Sequence, residues 1–176
     1  LSTMVVFKNE IREILKGLLD FEINDHTQFS IKIIISMIPA ILVGLFFQNQ
    51  IEALFSKNLV LVGVMLLFTA IILFLADRAR DTQKKVTLSN AFVLGIVQAI
   101  AILPGISRSG STIASAVLLG IDRQKATRFS FLMVLPLIFG SMAKTIIDLE
   151  ATPQNSNITI LAIGFISAFI LSLIHI

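Results

Sequence analysis

Four long apolar runs separated by short polar stretches dominate the chain: residues 32–47, 59–76, 127–148 and 158–176, each with 16 to 22 residues. A membrane-spanning helix rises about 1.5 Å per residue across a hydrocarbon core of about 30 Å, so it needs roughly 20 residues and seldom fewer than about 17. The four runs are predicted to be transmembrane helices, the first extended slightly at its ends. Pro39 and Pro136 lie inside two of them, where packing in a helical bundle tolerates a proline.

Two further apolar segments are too short to cross. Residues 89–103, "SNAFVLGIVQAIAIL", number 15, and residues 111–120, "STIASAVLLG", number 10. The second is about 15 Å long as a helix, half of the hydrocarbon thickness. Between them stands a polar turn, "PGISRSG". A helix entering, a turn and a short helix returning predict a re-entrant helical hairpin over 89–120. Near the N-terminus, residues 7–19 place Phe7, Ile11, Ile14, Leu15, Leu18 and Leu19 on one helical face, opposite Lys8, Glu10, Arg12, Glu13 and Lys16. This pattern fits an interfacial amphipathic helix or the polar extension of a membrane helix. "DFEINDHTQ" then reads as a loop, in which His26 has no partner at metal-ligand spacing.

Charge placement constrains the hairpin. Basic residues cluster before the first span (Lys8, Arg12, Lys16, Lys32), between the second span and the hairpin (Arg78, Arg80, Lys84, Lys85) and after it (Arg123, Lys125, Arg128). The intervening connections hold only Lys57 and, in "LEATPQNSN", no Lys or Arg. Under the positive-inside rule, all three clusters share the cytoplasmic side if 89–120 enters and leaves by one face. Two short full crossings would give the same sidedness, but 10 residues make that difficult. Lys144 and Asp148, four apart on one helix, read as a snorkelling pair.

Composition agrees with a lipid environment: 56% of the 176 residues are hydrophobic and 14% charged, against about a quarter charged in soluble domains. Cysteine is absent, which excludes disulfides and thiolate metal sites. Tyr and Trp are absent too, so the usual interfacial aromatic belt is missing. The 14 Phe residues read as lipid-facing or packing surface. The net charge of +3 carries no nucleic-acid signature. The fold class expected is all-α: one polytopic membrane helical bundle with a re-entrant hairpin. The chain opens "LSTMVVFKNE" and stops at "FILSLIHI" inside an apolar run, which suggests an internal piece of a longer membrane protein.

The hairpin turn carries the candidate chemistry. Pro104 ends the entering helix. Gly105 and Gly110 permit unusual dihedrals and close approach of a ligand. Ser109 or Ser111 can cap the following helix, expected to start near Ser111. Its free N–H groups and positive dipole end form an anion site, and Arg108 adds a planar fork suited to phosphate. An unpaired arginine at membrane depth costs at least about 2.5 kcal/mol, which argues for an anionic partner. Small residues in "SGSTIASA" equally suit tight helix packing, and their hydroxyls can bond their own backbone. Gln98, six residues before Pro104, faces either the same cavity or an interhelical hydrogen bond. These features imply a phosphate-bearing or other anionic ligand, without fixing the reaction. A transporter or lipid flippase would use the same broken-helix anion site.

"PGISRSGSTI" (104–113), followed by "LLGIDRQKATRFSFLMVLPLIFG" (118–140) and preceded by the glutamine of "IVQAIAILPG", resembles the undecaprenyl-diphosphate phosphatase family, also called the bacitracin-resistance protein family. The resemblance covers essentially the whole chain and is specific across about 90–140. It implies a multi-pass enzyme of the bacterial inner membrane, built from inverted repeats with two re-entrant hairpins, of which this chain would hold half. The implied activity removes one phosphate from the C55 polyprenyl diphosphate lipid, recycling the carrier for peptidoglycan synthesis. By resemblance, Arg108, with Ser107 and Ser109, is the catalytic group, and Gly105, Gly110, Ser111 and Thr112 surround the substrate phosphate. A divalent cation, Mg²⁺ or Ca²⁺, is implied by the family alone, because no carboxylate near 104–113 suggests a metal ligand. The resemblance leaves room for a homodimer. It also implies an earlier motif, two acidic or amide residues four apart and a "PxSSSGH"-like turn, which nothing here matches: Glu10 and Glu13 are three apart and His26 lies in no Ser-Gly context. The chain is therefore expected to lack the N-terminal motif and to be inactive alone.

Overall fold

The computed structural model describes residues 5, 7–9, 11–12, 25–55, 59–80, 82–151 and 158–175. Seven helices are named here: α1 (Asp25–Phe46), α2 (Gln48–Phe55), α3 (Leu59–Asp77), α4 (Leu88–Ile100), α5 (Arg108–Leu118), α6 (Arg123–Ala151) and α7 (Ile158–His175). Among the described residues there is no strand, only an isolated bridge between Lys84 and Ile121. The all-α expectation holds.

The predicted spans map onto α1, α3, α6 and α7 with shifted ends. Residues 25–28 continue α1 instead of forming a loop, and α6 starts four residues early. Asp122 explains that early start: its carboxylate accepts the Lys125 N–H at 3.1 Å, an N-cap that the apolar pattern does not announce. Three helices are long and apolar enough to cross a membrane, described over Thr27–Phe46, Leu59–Asp77 and Arg123–Ala143, while Thr159–Ile174 forms a shorter apolar helix. Helix α2 is an 8-residue element in what reads as a connection. The predicted interfacial helix over 7–19 falls mostly outside the described residues; within it, Ile11 N–H donates to the Phe7 carbonyl at 2.9 Å. The side chains of His26, Lys144 and Asp148 also fall outside them.

The chain divides into two compact units. One comprises Leu1–Thr27 with Leu135–Ile176. Its helix α7 exposes Ile160, Leu161, Ile163, Phe165 and Ile166, and Phe165 stacks on Phe169 with ring centroids 6.3 Å apart. The other unit, Gln28–Val134, holds the predicted hairpin. Its core includes Leu94, Ala114, Ala116, Ile121, Phe129 and Met133. The Phe29 ring meets Phe129 edge-on at 5.8 Å, joining α1 to the start of α6.

Helix α3 turns the soluble pattern inside out. It buries Thr69 and Ala76 and exposes Leu59, Val60, Leu67, Phe68 and Ile71. A helix apolar all round, with its small and polar residues facing protein, is the pattern of a membrane segment. Helices α4 and α5 pack against each other, and α5 packs along α3. Gly95 on α4 lies so close to the Ser36 backbone of α1 that a Cβ there would overlap the Ser36 carbonyl oxygen.

The α4–α5 pair returns to the end from which it starts. Thr82 Oγ1, ahead of α4, donates to the Gly120 carbonyl beyond α5 at 2.6 Å, and Asp122 N–H donates to the Lys84 carbonyl at 3.2 Å. One Arg123 guanidinium nitrogen donates to the carbonyls of Ala76, Asp77 and Ala79 at 3.0, 3.0 and 3.1 Å. Those carbonyls lie at and just past the C-terminus of α3, where backbone acceptors outnumber donors and a cation is favoured; the Ala76 carbonyl also accepts the Ala79 N–H at 3.2 Å. At about 1.5 Å per residue, α4 and α5 are roughly 20 and 17 Å long beside an α3 of about 28 Å.

A candidate anion site at the hairpin tip

Local chemistry sets the tip. Helix α4 stops at Ile100, three residues before the predicted end, because Leu103 precedes a proline and is disfavoured in helical geometry. The chain tightens instead: Ile102 N–H bonds the Ala99 carbonyl at 3.3 Å and Leu103 N–H the Ile100 carbonyl at 3.1 Å. Pro104 is buried. Gly105 then takes φ +92°, in the left-handed region that favours glycine. A Cβ there would lie 2.5 Å from the Val62 carbonyl oxygen of α3. Both conditions require glycine, and together they press the turn against α3.

Helix α5 begins at Arg108, not near Ser111, and its cap is Ser107 rather than Ser109 or Ser111. Ser107 is the last residue with extended backbone, φ −73° and ψ 111°. Its hydroxyl accepts the Gly110 N–H at 3.2 Å, and its carbonyl accepts the Ser111 N–H at 2.8 Å. A Cβ on Gly110 would come within 2.9 Å of that hydroxyl, so glycine also keeps the cap seated. The N–H groups of Arg108 and Ser109 have no acceptor within the helix.

Thr69, inside the apolar run of α3, fixes this cap. Its hydroxyl donates to the Met65 carbonyl at 3.0 Å and accepts the Ser107 N–H at 3.3 Å. Thr69 lies eight residues before Asp77, about 12 Å along a helix of about 28 Å. The Ser107 cap therefore sits level with the middle of α3, and the turn at Gly105 reaches the level of Val62, near its start. The signal in the sequence is Thr69 itself, the one hydroxyl residue in the run 59–76.

The predicted site residues separate into two sets. Ser107, Arg108 and Ser109 are exposed at the tip. Ser111 and Thr112 are buried on the inner face of α5, at 3% and 1% exposure. Thr112 Oγ1 turns back onto its own helix, at 2.9 Å from the Arg108 carbonyl and 3.2 Å from that of Ser109. Gln98, 1% exposed on α4, has no hydrogen-bond partner for either amide atom, and the Ser111 hydroxyl has none. The exposed set can do anion chemistry: a guanidinium fork, two free N–H groups and a hydroxyl surround the positive end of a helix. The tip offers no carboxylate or imidazole, and among the described residues no group of three or more His, Cys, Asp or Glu could hold a metal.

Comparison with known proteins identifies the family of the chain. The family model described as bacitracin resistance protein BacA matches residues 1–176. A protein of Christiangramia forsetii named undecaprenyl-diphosphatase is 58% identical over 174 residues, covering 99% of this chain and 66% of the relative. Proteins of the same name from Bacteroides fragilis and Methanococcus vannielii are 44% and 41% identical, covering 96% and 85% of this chain and 65% and 62% of theirs. The chain thus spans just under two thirds of the length of these relatives. It belongs to the bacitracin resistance protein family, BacA.

Proposed function

We propose that this chain is the arginine-bearing part of a multi-pass enzyme of the bacterial inner membrane. The enzyme hydrolyses undecaprenyl diphosphate to the monophosphate and inorganic phosphate. That reaction returns the lipid carrier to peptidoglycan synthesis and withdraws the diphosphate lipid that bacitracin resistance depends on removing. The observation that carries this reading is the exposed Arg108, on the first turn of α5 beside the free N–H groups of Arg108 and Ser109. The names of the relatives supply the substrate class.

In this reading α4 and α5 enter and leave the membrane by one face, which the contacts between 76–84 and 120–123 support. The diphosphate docks at the tip. Arg108 grips its oxygens through two N–H donors, and the α5 N-terminus and the Ser109 hydroxyl face the same charge. Water attacks the terminal phosphorus, the bridging P–O bond breaks, and the lipid monophosphate leaves. Negative charge grows on the bridging oxygen, and a prepositioned cation lowers that barrier. Ser107 is committed as the helix cap and positions Arg108, which is its contribution here. Gly105 and Gly110 act through shape. The side chains at 107–109 include no group that would take the proton from the attacking water, so the base comes from outside this turn. The divalent cation implied by the family finds no carboxylate or imidazole ligand in this turn.

The test is reconstitution of the protein expressed from its complete gene into proteoliposomes loaded with the C55 diphosphate. Phosphate release without lipid movement across the bilayer is expected. Lipid movement without phosphate release would replace the enzyme with a carrier using the same anion site.

A further inference from the structure

Helix α5 carries half of a capping box. In the complete motif the N-cap hydroxyl accepts the N–H of the third helical residue, and a Glu or Gln at that third position reaches back to accept the N-cap N–H. Ser107 makes the first bond, with the Gly110 N–H. The second cannot form within α5, because Gly110 has no side chain, and a Cβ there would come within 2.9 Å of the Ser107 hydroxyl oxygen. The acceptor comes from another helix instead. Thr69, 5% exposed on α3 and 38 residues away in sequence, accepts the Ser107 N–H at 3.3 Å. Its own proton is directed to the Met65 carbonyl, which leaves the oxygen lone pairs free to accept.

Charge gives this division a purpose. A glutamate at the third helical position would offset the positive end of α5 and compete with an anion there. A hydroxyl borrowed from α3 satisfies the same N–H and adds no charge. The borrowed bond also sets where Arg108 starts. The Arg108 side chain is exposed and long, so its backbone position decides what the guanidinium can reach. Polar groups on both sides of its Cα are tied: the Ser107 N–H to Thr69, and the Arg108 carbonyl to the Thr112 hydroxyl at 2.9 Å. Thr112 belongs to α5 and moves with it, whereas Thr69 refers the start of α5 to a separate helix.

We propose that Thr69 is a positioning residue for the reaction at the tip, acting through Ser107 on Arg108; this rests on the phosphatase function proposed above. Misplacing a reacting group by 1 Å costs about a hundred-fold in rate, and losing one tie permits a smaller shift, so Thr69→Val should lower kcat for the C55 diphosphate by roughly ten-fold in protein expressed from the complete gene. Thr69→Ser keeps the hydroxyl and should run near the parental rate. Valine matches threonine in size and serine does not, so a packing role would reverse that order. The double variant separates positioning from folding. If Thr69 acts through Arg108, Thr69→Val should cost nothing further in the Arg108→Ala background, whereas independent effects would multiply. All rates are taken below the onset of thermal unfolding of every variant, so the folded fraction does not enter. A parental rate for Thr69→Val, a Thr69→Ser rate as low as that of Thr69→Val, or a further ten-fold loss in the double variant would each overturn the proposal while leaving the role of Arg108 intact. A parental rate for Arg108→Ala alone would overturn the role of Arg108, and this inference with it.

Discussion

Replacing Gly105 with alanine tests how the tip is held. Two costs act together. An L-residue at φ +92° meets the left-handed steric penalty of about 1–2 kcal/mol. The added Cβ would stand 2.5 Å from the Val62 carbonyl oxygen, 3.0 Å from the Val62 Cα and 3.1 Å from the Met65 Cβ. Two of those three atoms are backbone, which cannot swing aside as a side-chain end would. Overpacking of this kind costs about 1–3 kcal/mol. The sum is roughly 2–5 kcal/mol. For a chain of this size each kcal/mol moves the melting temperature by about 2–4 °C, so Gly105→Ala should lower it by roughly 4–20 °C. Gly63→Ala is the matched control. It sits beside Val62 on α3 with nothing within 4 Å of an added Cβ, and a helical glycine gains about 0.5–1 kcal/mol on replacement by alanine. Thermal unfolding in one detergent reads both. If Gly105→Ala melted with Gly63→Ala, the close docking of the turn on α3 would be wrong.

Gln98→Leu should stabilise the protein by about 1–3 kcal/mol in the same assay, because leucine removes two buried amide atoms that lack partners; a comparable loss would mean the amide is bonded. Arg123→Gln should cost about 1.5–3 kcal/mol, since a charged donor to three carbonyls at the end of α3 is lost, and it should speed amide hydrogen exchange in the 78–87 and 119–122 loops. Unchanged exchange would detach Arg123 from holding those loops. Thr69→Val removes the acceptor of the Ser107 N–H at nearly constant volume and should cost about 0.5–1.5 kcal/mol; a neutral melt would show that the cap seats itself without α3.

The elements that depend on hydrophobic period were legible. The apolar run 59–76 became α3 with one residue added, and the too-short segments beside the motif became α4 and α5. What escaped depends on partners distant in the chain. The cap moved from Ser109 or Ser111 to Ser107 because the Pro104–Gly105 turn ends early enough to leave Ser107 as the last extended residue. Any of the three serines satisfies the capping preference, so composition could not choose between them. Thr69 is silent in a hydropathy plot, where one hydroxyl among leucines barely lowers the average, yet it holds the Ser107 backbone. Arg123 read as a loop cation for the positive-inside count and emerged as the closure of α3 as well. Of the motif, Arg108, Ser107 and Ser109 stand together at the tip, while Ser111, Thr112 and Gln98 are buried between helices.

Phosphate release from the C55 diphosphate measures directly whether Arg108 grips a diphosphate at the tip of the hairpin. In protein expressed from the complete gene, Arg108→Ala should lower kcat by at least about a hundred-fold, as removal of a prepositioned transition-state donor does. Arg108→Lys should fail nearly as badly, since an ammonium keeps the charge and loses the planar fork. Both variants should melt with the parent, because the exposed Arg108 side chain forms no hydrogen bond or ion pair among the described residues. Release at the parental rate from folded Arg108→Ala would contradict the account.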